Sequence, residues 1–418
     1  MPTTCKYDGF DSMPETIRKG KPTPFLRIFL LAAVTASAGL SIDLCLPALP
    51  FISDSLTSDM GQVQQTISVF ILGVGFGQLI YGPLADHFGR KPLLITGLVV
   101  FIITSILCAL AQSVEQLIAF RLLQSLGVAA GAVVMRAVVR DFYQGEEAAK
   151  VFSQIMLVVL IAPLVAPLMS AQLLLWFSWR IIFVILALFG LALLVGVAFK
   201  LPETLPARER TKISIRNLPR QYVAVLRDRN TLGYFLCGSF TFAGMFAFVA
   251  GSPFVYIQYY HVPVEYFGFL YASNVLMISL LSWVNSQVIE EVGLGRMLND
   301  ATWLSMLAGI AVMFFAVTGM GGLWGIFPGL VVFIGCLGLI AANCNAGMLD
   351  PFGKSAGTAS AIMGAGRFMM GGVASMIVGF FHDGTPVPMA AVICASSVLA
   401  FLSYRIFVDQ EHSTSTAC

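Results

Sequence analysis

One short segment of the chain reads Gly82-Pro83-Leu84-Ala85-Asp86-His87-Phe88-Gly89-Arg90-Lys91. It joins two long apolar runs, at about residues 64–85 and 93–112. A helix needs about 20 apolar residues to cross the hydrocarbon core of a bilayer, so each run is long enough to span a membrane. The segment therefore predicts a tight, positively charged loop at a membrane surface, between two antiparallel spanning helices.

The composition of the whole chain agrees with this prediction. Of 418 residues, 58% are hydrophobic and 11% are charged, and the mean hydropathy is +0.86. Soluble domains carry about 25% charged residues, which places this chain among integral membrane proteins. The same figures exclude a disordered chain and a secreted disulfide scaffold. The net charge of +2 gives no indication of a nucleic-acid partner.

Apolar runs of spanning length occur twelve times, in two groups of six. The runs are continuous rather than alternating, which excludes the strands of a lipid-facing barrel. The sequence therefore predicts an all-α integral membrane fold with twelve transmembrane helices. The predicted spans are about 26–50, 64–85, 93–112, 116–139, 150–176, 180–200, 231–254, 266–289, 297–318, 323–346, 357–381 and 386–407.

The distribution of Lys and Arg orients these helices, because cytoplasmic loops of membrane proteins carry an excess of both residues. With both termini in the cytoplasm, Arg180 is the one basic residue of 24 that falls in an outer loop. The predicted parts are a cytoplasmic N-terminal tail (1–25), a six-helix bundle (26–200), a basic cytoplasmic central loop (201–230), a second six-helix bundle (231–407) and a cytoplasmic tail (408–418).

The two predicted halves share residue pairs at one spacing. Gly89–Arg90 and Gly295–Arg296 are 206 positions apart, and so are Pro47 and Pro253. Together with the two groups of six runs, these pairs indicate duplicated halves. In membrane proteins, duplicated halves are typical of carriers that work by alternating access.

The chain lacks a motif for nucleotide hydrolysis. The nearest candidate, Gly347 to Ser355, has five residues between its glycines where a P-loop has four, and it follows an apolar helix rather than a strand. The histidines and cysteines show no metal-ligand spacing. We therefore expect no enzymatic activity, no metal and no cofactor, and we expect the source of energy to be an ion gradient or the gradient of the substrate itself.

The loop around Asp86 resembles the signature loop of the major facilitator superfamily, with Asp86, Gly89, Arg90 and Lys91 at the spacing of that motif. The resemblance implies a major facilitator fold of two six-helix bundles around a central cavity. It also implies a cytoplasmic gate, in which Asp86 pairs with Arg groups on neighbouring helices. Arg140 and Asp141, at the inner end of span 4, are expected to belong to this gate.

Further segments are similar to the bicyclomycin-resistance (Bcr/CflA-type) group of drug:proton antiporters in the bacterial inner membrane. The similarity covers both halves of the chain and implies a proton gradient as the energy source. The segments that carry it are Ser41-Ile42-Asp43-Leu44-Cys45-Leu46-Pro47-Ala48-Leu49-Pro50 in span 1, Arg121, Gln124, Gly127, Arg136 and Arg140-Asp141 in span 4, Trp179-Arg180 opening span 6, and Gly251-Ser252-Pro253-Phe254 ending span 7.

Asp43 is the one acidic residue that lies well inside a predicted span, and Arg121 lies at a similar depth in span 4. An ionisable group at such depth costs several kcal/mol unless it is paired or hydrated. Burial favours the protonated carboxyl and a neighbouring Arg favours the ionised one. We therefore predict that Asp43 carries the coupling proton with Arg121 as its ion-pair partner. The alternative is a static buried pair that holds spans 1 and 4 together.

Arg367 lies near the middle of span 11, where the drug exporters more often have a neutral residue, and no acidic residue occurs at that depth in the second half. We therefore predict that it binds a carboxylate or similar group of a substrate. Arg136, one turn from Arg140-Asp141, is expected to extend to the inner surface, with a structural role or a substrate contact. The further candidates for substrate binding are Asn274, Asn343, Asn345 and Phe246, since rings and amides suit an amphiphilic ligand.

The sequence thus predicts a monomeric, proton-coupled exporter of a small amphiphilic molecule, a drug or a metabolite, whose partners are the substrate, protons and the bilayer. One alternative is a carrier, in either direction, of an anionic metabolite such as a carboxylate siderophore. It is motivated by Arg367 and by span 5, where Ala162-Pro163-Leu164-Val165-Ala166-Pro167-Leu168-Met169-Ser170 lacks the glycines of the wider family. A second alternative is a sensor or scaffold of this fold that transports nothing.

Overall fold

A computed structural model describes residues 25–143, 145–206, 208, 210, 218–351 and 356–408. Within these residues, twelve helices are long and apolar enough to cross a membrane, and none of the described residues forms a strand. The helices are α1 (Leu26–Ser55), α2 (Met60–Phe88), α3 (Arg90–Ala109), α4 (Val114–Phe142), α5 (Gly145–Leu174), α6 (Arg180–Lys200), α7 (Arg229–Tyr259), α8 (Val264–Val292), α9 (Leu294–Thr318), α10 (Leu323–Leu349), α11 (Ala359–Phe380) and α12 (Val387–Phe407).

The predicted all-α fold with twelve spans is confirmed, and the predicted ends agree with these helices to within five residues. The structure adds a short linker helix, Leu218–Leu226, inside the predicted central loop. The predicted tails at 1–25 and 408–418 lie almost entirely outside the described residues. Their cytoplasmic location stays a prediction, as do the boundaries of the two bundles.

Two prolines mark the places where spanning helices change their geometry. In α1 the α-helical turns end at Asp43, and the 3-10 turn Leu46–Ala48 containing Pro47 follows. In α7 the α-helix ends at Pro253 and continues as the π-helical segment Phe254–Tyr259. Proline removes one backbone donor and clashes with the preceding turn, which explains both changes. The structure therefore gives the sequence pair Pro47 and Pro253 equivalent roles in the two halves.

Glycines with positive φ join α2 to α3 and α8 to α9. Gly89 has φ +102° and ψ 161°, and Gly293 has φ +81° and ψ 150°. This region of backbone space is essentially restricted to glycine. The structural counterpart of Gly89 is thus Gly293, so the predicted match with Gly295–Arg296 was wrong by two residues. Arg90 begins α3, whereas the equivalent first residue of α9 is Leu294.

The first six helices pack on one another, the last six do the same, and the two sets meet along two helix pairs. Helix α2 packs along α11, and α5 packs along α8. In duplicated halves, α8 is the counterpart of α2 and α11 is the counterpart of α5. The pair of α2 with α11 therefore corresponds to the pair of α8 with α5, as expected for duplicated halves. Along α2 and α11, Gln65 Nε2 donates to the Met376 carbonyl (3.1 Å) and the Ser68 and Ser375 hydroxyls are 2.7 Å apart. Small residues permit this close approach: a methyl group on Gly75 would lie 2.8 Å from the Met369 nitrogen.

We expect Gly89→Ala to lower the melting temperature of the detergent-purified protein more than Gly293→Ala does. Both substitutions introduce backbone strain of about 1–3 kcal/mol. The methyl group at position 89 also meets Glu203 and Arg210, whereas nothing lies within 4 Å of the equivalent methyl group at position 293. Equal losses of melting temperature in the two variants would contradict this explanation.

Candidate functional site at the bundle interface

Asp43 lies at the interface between the two sets of helices, at the end of the α-helical part of α1. Its side chain is 5% exposed, and its Oδ1 accepts a hydrogen bond from the Tyr271 hydroxyl of α8 (2.9 Å). The bond joins residues 228 positions apart in the chain. A titratable group in the first six helices is therefore held directly by a residue of the last six.

Arg121 does not form the predicted ion pair with Asp43, and that prediction was wrong. Arg121 is fully buried, its Nη1 donates to Gln124 Oε1 (2.7 Å), and its Nη2 donates to the Ser41 carbonyl (3.2 Å). The geometry of α1 supplies the reason. The Cys45 nitrogen bonds to the Ile42 carbonyl, which leaves the Ser41 carbonyl without its usual helical donor. Arg121 satisfies that carbonyl, two residues before Asp43.

Arg121 also organises the interior of the first six helices. Its guanidinium lies 4.1 Å from the centre of the Phe70 ring of α2. Gln124 Nε2 in turn donates to the Ser105 hydroxyl of α3 (2.7 Å), which donates to the Phe101 carbonyl (2.6 Å). Arg121 therefore fixes α1 relative to α2, α3 and α4, and it acts on Asp43 by positioning the end of α1.

Tyr271 is a functional candidate that the sequence analysis missed. Its ring is stacked with Phe248 (5.9 Å between centroids) and Phe267 (6.0 Å), so the hydroxyl has a fixed position. Tyr271 lies one turn before Asn274 and one turn after Phe267 on α8, a helical spacing visible in the sequence. Nothing in the sequence connects that face of α8 with Asp43, because the contact depends on how the two sets of helices pack.

The predicted gate residues meet at one end of the first six helices. Arg90 is 6% exposed and forms ion pairs with Asp86 (2.6 Å) and Asp141 (3.4 Å). Glu203 Oε1 accepts from the Arg90 nitrogen (3.0 Å) and stabilises the start of α3. The Thr204 hydroxyl donates to Asp141 (2.7 Å). These contacts connect the ends of α2, α3 and α4 with the segment that follows α6.

Other predicted gate residues have different partners. Lys91 Nζ donates to the Ala198 carbonyl of α6 (2.7 Å), and Gly89 provides the turn. Arg140 is exposed, and the structure does not bring it into the cluster. Glu203 is a member that the sequence analysis did not single out, although it follows α6 directly in the chain.

The four residues predicted to bind substrate, Asn274, Asn343, Asn345 and Phe246, mainly contact other helices or their own helix. Asn343 Nδ2 donates to Asn285 Oδ1 (2.8 Å), which joins α10 to α8. Asn274 Nδ2 donates to the Leu270 carbonyl of its own helix (2.8 Å). Phe246 is 5% exposed and packs against Phe368 (5.4 Å between centroids). Asn345 is half-buried on α10. A substrate contact of these four residues stays a prediction.

Arg367 lies on α11 and has no acidic neighbour in the part of the chain that the structure describes. Its Nη2 donates to the Ala341 carbonyl of α10 (3.1 Å), and its guanidinium lies 4.6 Å from the centre of the Phe242 ring. Its Nε is buried without a hydrogen-bond partner among the described residues. The side chain is therefore a cation whose hydrogen-bonding capacity is only partly used.

The structure places Arg136 beside α11, and its predicted extension to the inner surface stays a prediction. A methyl group on Gly364 of α11 would lie 3.8 Å from Arg136 Nη1 and 2.6 Å from Gln78 Oε1. The guanidinium therefore reaches from α4 to the interface with α11. From its position on α4, the Arg136 side chain could extend toward the helix end or toward α11. The packing of α2 against α11 brings Gly364 within its reach.

Two packed sets of six membrane-spanning helices, with ionisable side chains buried where the sets meet, define a polytopic membrane transporter. The chain belongs to the Major Facilitator Superfamily, whose family model matches residues 31–405. A solved structure that shares this fold, that of a D-xylose-proton symporter, is likewise a transporter, with a TM-score of 0.70 and 13% identity over 93% of this chain and 99% of that one.

The chain is similar to several bacterial proteins of this family. It is 32% identical to the bicyclomycin resistance protein homolog of Haemophilus influenzae over 92% of this chain and 97% of that protein. It is 29% identical to the multidrug transporter MdfA of Yersinia pestis over 70% of this chain and 75% of that protein. The fold matches the crystal structure of the nucleoside transporter NupG with a TM-score of 0.73 and 13% identity, over 91% of this chain and 99% of that one.

We expect Tyr271→Phe to destabilise the protein by about 1 kcal/mol, because it removes one buried hydrogen bond. The effect should disappear when Asp43 is already replaced by Leu, since the hydroxyl then has no carboxyl acceptor. Thermal unfolding of the single and double variants in detergent measures this coupling. Tyr256→Phe is the matched control, because the Tyr256 hydroxyl is also buried but is not the hydroxyl that bonds to Asp43. Additive effects of the Asp43 and Tyr271 substitutions would contradict a direct bond.

Proposed function

We propose that the protein is a proton-coupled secondary transporter, which exports a small amphiphilic molecule across the inner membrane of a bacterium by alternating access. The family and the fold support transport. The relatives named for bicyclomycin resistance and multidrug transport support export of an amphiphilic compound. The observation that carries proton coupling is the buried hydrogen bond from Tyr271 to Asp43 between the two sets of helices.

The bond links the protonation of Asp43 to the position of the helices. When α1 and α8 separate, the carboxyl loses Tyr271 and meets water, where it exchanges protons with the outer solution. When the helices close, the carboxyl returns to an apolar site in which a neutral acid costs far less than a carboxylate. Closure therefore favours the proton-loaded protein, which couples proton entry to the conformational step.

Arg121 is a positioning residue in this mechanism. It holds the Ser41 carbonyl and so fixes where α1 ends and where Asp43 points. The predicted ion pair is thus replaced by a different arrangement, in which Tyr271 is the direct partner of the acid and Arg121 orients the end of α1 that bears it.

The cluster of Asp86, Arg90 and Asp141 is the inner gate of this proposal. Its ion pairs among the described residues lie within the first six helices, and Asp86 remains 52% exposed and accessible to a partner in the other half. The linker helix is a second inner contact, since the Tyr222 hydroxyl donates to the Leu79 carbonyl of α2 (3.2 Å). Both termini and this face are assigned to the cytoplasm, as the excess of Lys and Arg indicates.

We expect Asp43→Asn to abolish the acceleration of transport by a pH gradient and to leave substrate exchange without a gradient intact. The amide keeps the size of the side chain but carries no exchangeable charge. The measurement is uptake of ethidium into proteoliposomes, with and without an imposed pH gradient, for protein of native elution volume.

Asp54→Asn is the matched control, because Asp54 is also on α1 but exposed. It should retain gradient-driven uptake. If Asp43→Asn responds to the gradient as the unmodified protein does, Asp43 is not the coupling group.

Charge reversal by Asp86→Lys should slow exchange across the membrane at least fivefold with little change in melting temperature. The pair with Arg90 is half-exposed at Asp86 and therefore contributes only about 0–1 kcal/mol to stability. Counterflow rates and thermal unfolding of the same preparation separate the two effects. An unchanged counterflow rate would show that Asp86 does not act as a gate residue.

A further inference from the structure

Two cysteines from different helices meet inside the last six helices. Cys237 lies on α7 and Cys344 on α10, and both side chains are fully buried. The Cys237 thiol forms a side-chain hydrogen bond with Cys344, and both cysteines are free thiols. The two positions are 107 residues apart in the chain, so no sequence spacing reveals the pair. The contact between the thiols follows from the packing of α7 against α10.

A third sulfur atom lies beside this pair. A methyl group on Gly238, the residue after Cys237, would lie 3.4 Å from the Cβ of Cys344 and 3.4 Å from the Sδ of Met363. Met363 belongs to α11 and is 2% exposed. Three helices therefore each contribute one buried sulfur atom to the same place. Cys237, Cys344 and Met363 are called the sulfur cluster below.

Arg367 supplies a positive charge at the sulfur cluster. Its Nη2 would lie 3.6 Å from the same methyl group on Gly238. The titratable groups whose charge interacts with that of Arg367 are Cys344 and Cys237. A cation inside a spanning helix is costly unless an anion or water compensates it. The two thiols are neutral as they stand, but as thiolates they would be the anions nearest to this arginine.

The ligand atoms of the sulfur cluster select one class of metal ion. Thiolate and thioether ligands favour soft ions such as Cu⁺, whereas oxygen ligands suit Mg²⁺ and Ca²⁺. Structural Zn²⁺ sites use four ligands from Cys, His and carboxylates. Within the described residues, no group of three or more His, Cys, Asp or Glu side chains comes together. Two thiols with one thioether therefore fit a soft monovalent ion, which is stable with two or three sulfur ligands.

The balance of charge favours the same class of ion. When one such ion binds, two S–H bonds break, two metal–sulfur bonds form and two protons leave to the solvent, with no change of oxidation state. The monovalent ion and two thiolates together carry one negative charge. Arg367 carries one positive charge, so the loaded cluster is neutral. A divalent ion would leave the charge of Arg367 uncompensated.

We propose that Cys237, Cys344 and Met363 form a binding site for a soft monovalent metal ion, Cu⁺ or Ag⁺, with Arg367 as its counter-charge. The two thiolates are the principal ligands, and the thioether is the third sulfur. Arg367 is half-buried whereas the three sulfur residues are buried, so the cluster is most open on the side of the arginine. This site goes beyond the proposed transport function and does not depend on proton coupling.

The test is retention of Ag⁺ by the purified full chain in nanodiscs, in a buffer that contains excess glutathione. Ag⁺ shares the ligand preference of Cu⁺ and is not oxidised by air. Glutathione removes Ag⁺ from single thiols, whereas two thiols held in one site compete with it because the second binds at a high effective concentration. Native mass spectrometry counts the retained ions. We expect one Ag⁺ per chain and no retained Zn²⁺ under the same conditions.

Variants of the sulfur residues identify the ligands. Cys237→Ala and Cys344→Ala should each abolish retention, because the remaining thiol no longer competes with glutathione. Met363→Leu, which nearly conserves the side-chain volume, should weaken Ag⁺ binding at least threefold. Cys336→Ala is the matched control, because Cys336 is also a fully buried cysteine of α10 but lies eight residues before Cys344. It should retain the ion.

Variants of the arginine test the counter-charge. Arg367→Gln should weaken Ag⁺ binding at least tenfold, because the loaded cluster then keeps a buried negative charge. Arg367→Lys keeps the positive charge and should bind more tightly than the Gln variant. Arg180→Gln is the matched control, because Arg180 also donates to one backbone carbonyl, that of Ala111 (3.1 Å), and lies over one ring, that of Trp179 (4.3 Å), but sits at the start of α6.

Several results would overturn the proposal. A native protein that retains no Ag⁺ in glutathione would do so even if every variant failed to fold, and the three sulfurs would then be packing residues. Retention in the Cys237→Ala protein that is equal to that of the native protein would place the ion elsewhere. Loss of the ion in Cys45→Ala or Cys108→Ala alone would assign it to the other pair of buried cysteines, which lies near Arg121. Equal retention of Zn²⁺ and Ag⁺ would contradict the soft monovalent class.

Discussion

A carboxyl group and a phenol hydroxyl, brought together in an apolar interior, connect the two halves of this transporter. Asp43 and Tyr271 are each buried, and their hydrogen bond spans the interface along which α1 and α8 approach. A buried carboxyl is tolerated there only as a neutral acid or with compensating donors. The helix break at Pro47, the arginine that holds the end of α1 and the aromatic stack around Tyr271 all serve to place these two groups.

The break in α1 has a second consequence. It leaves the Ser41 carbonyl without a helical donor in the interior, and the fully buried Arg121 donates a hydrogen bond to that carbonyl. Arg121 is therefore part of the scaffold, and its side chain fixes the helix that bears Asp43. Loss of Arg121 would leave the buried Ser41 carbonyl without a hydrogen-bond donor and would release the end of α1. Arg121 can therefore control the position of Asp43 without forming an ion pair with it.

Charge is distributed by depth in this protein. The cluster around Arg90 lies at helix ends, where water screens its pairs, and it uses acidic partners. The arginines near α11 lie deeper and have backbone, aromatic and amide neighbours instead.

The sequence by itself determined the class and the spans, because the length and continuity of apolar runs are set by the thickness of the bilayer. It also identified Asp43, Arg121 and Arg367, because charges inside such runs are rare. The partners of those charges were decided by tertiary structure alone. The pairing of Asp43 with Tyr271 and the approach of Arg136 to Gly364 depend on how α1 meets α8 and how α2 packs along α11. Residues more than 200 positions apart leave no local pattern of their contact, and the Ser41 carbonyl that captures Arg121 becomes available only when the helix breaks.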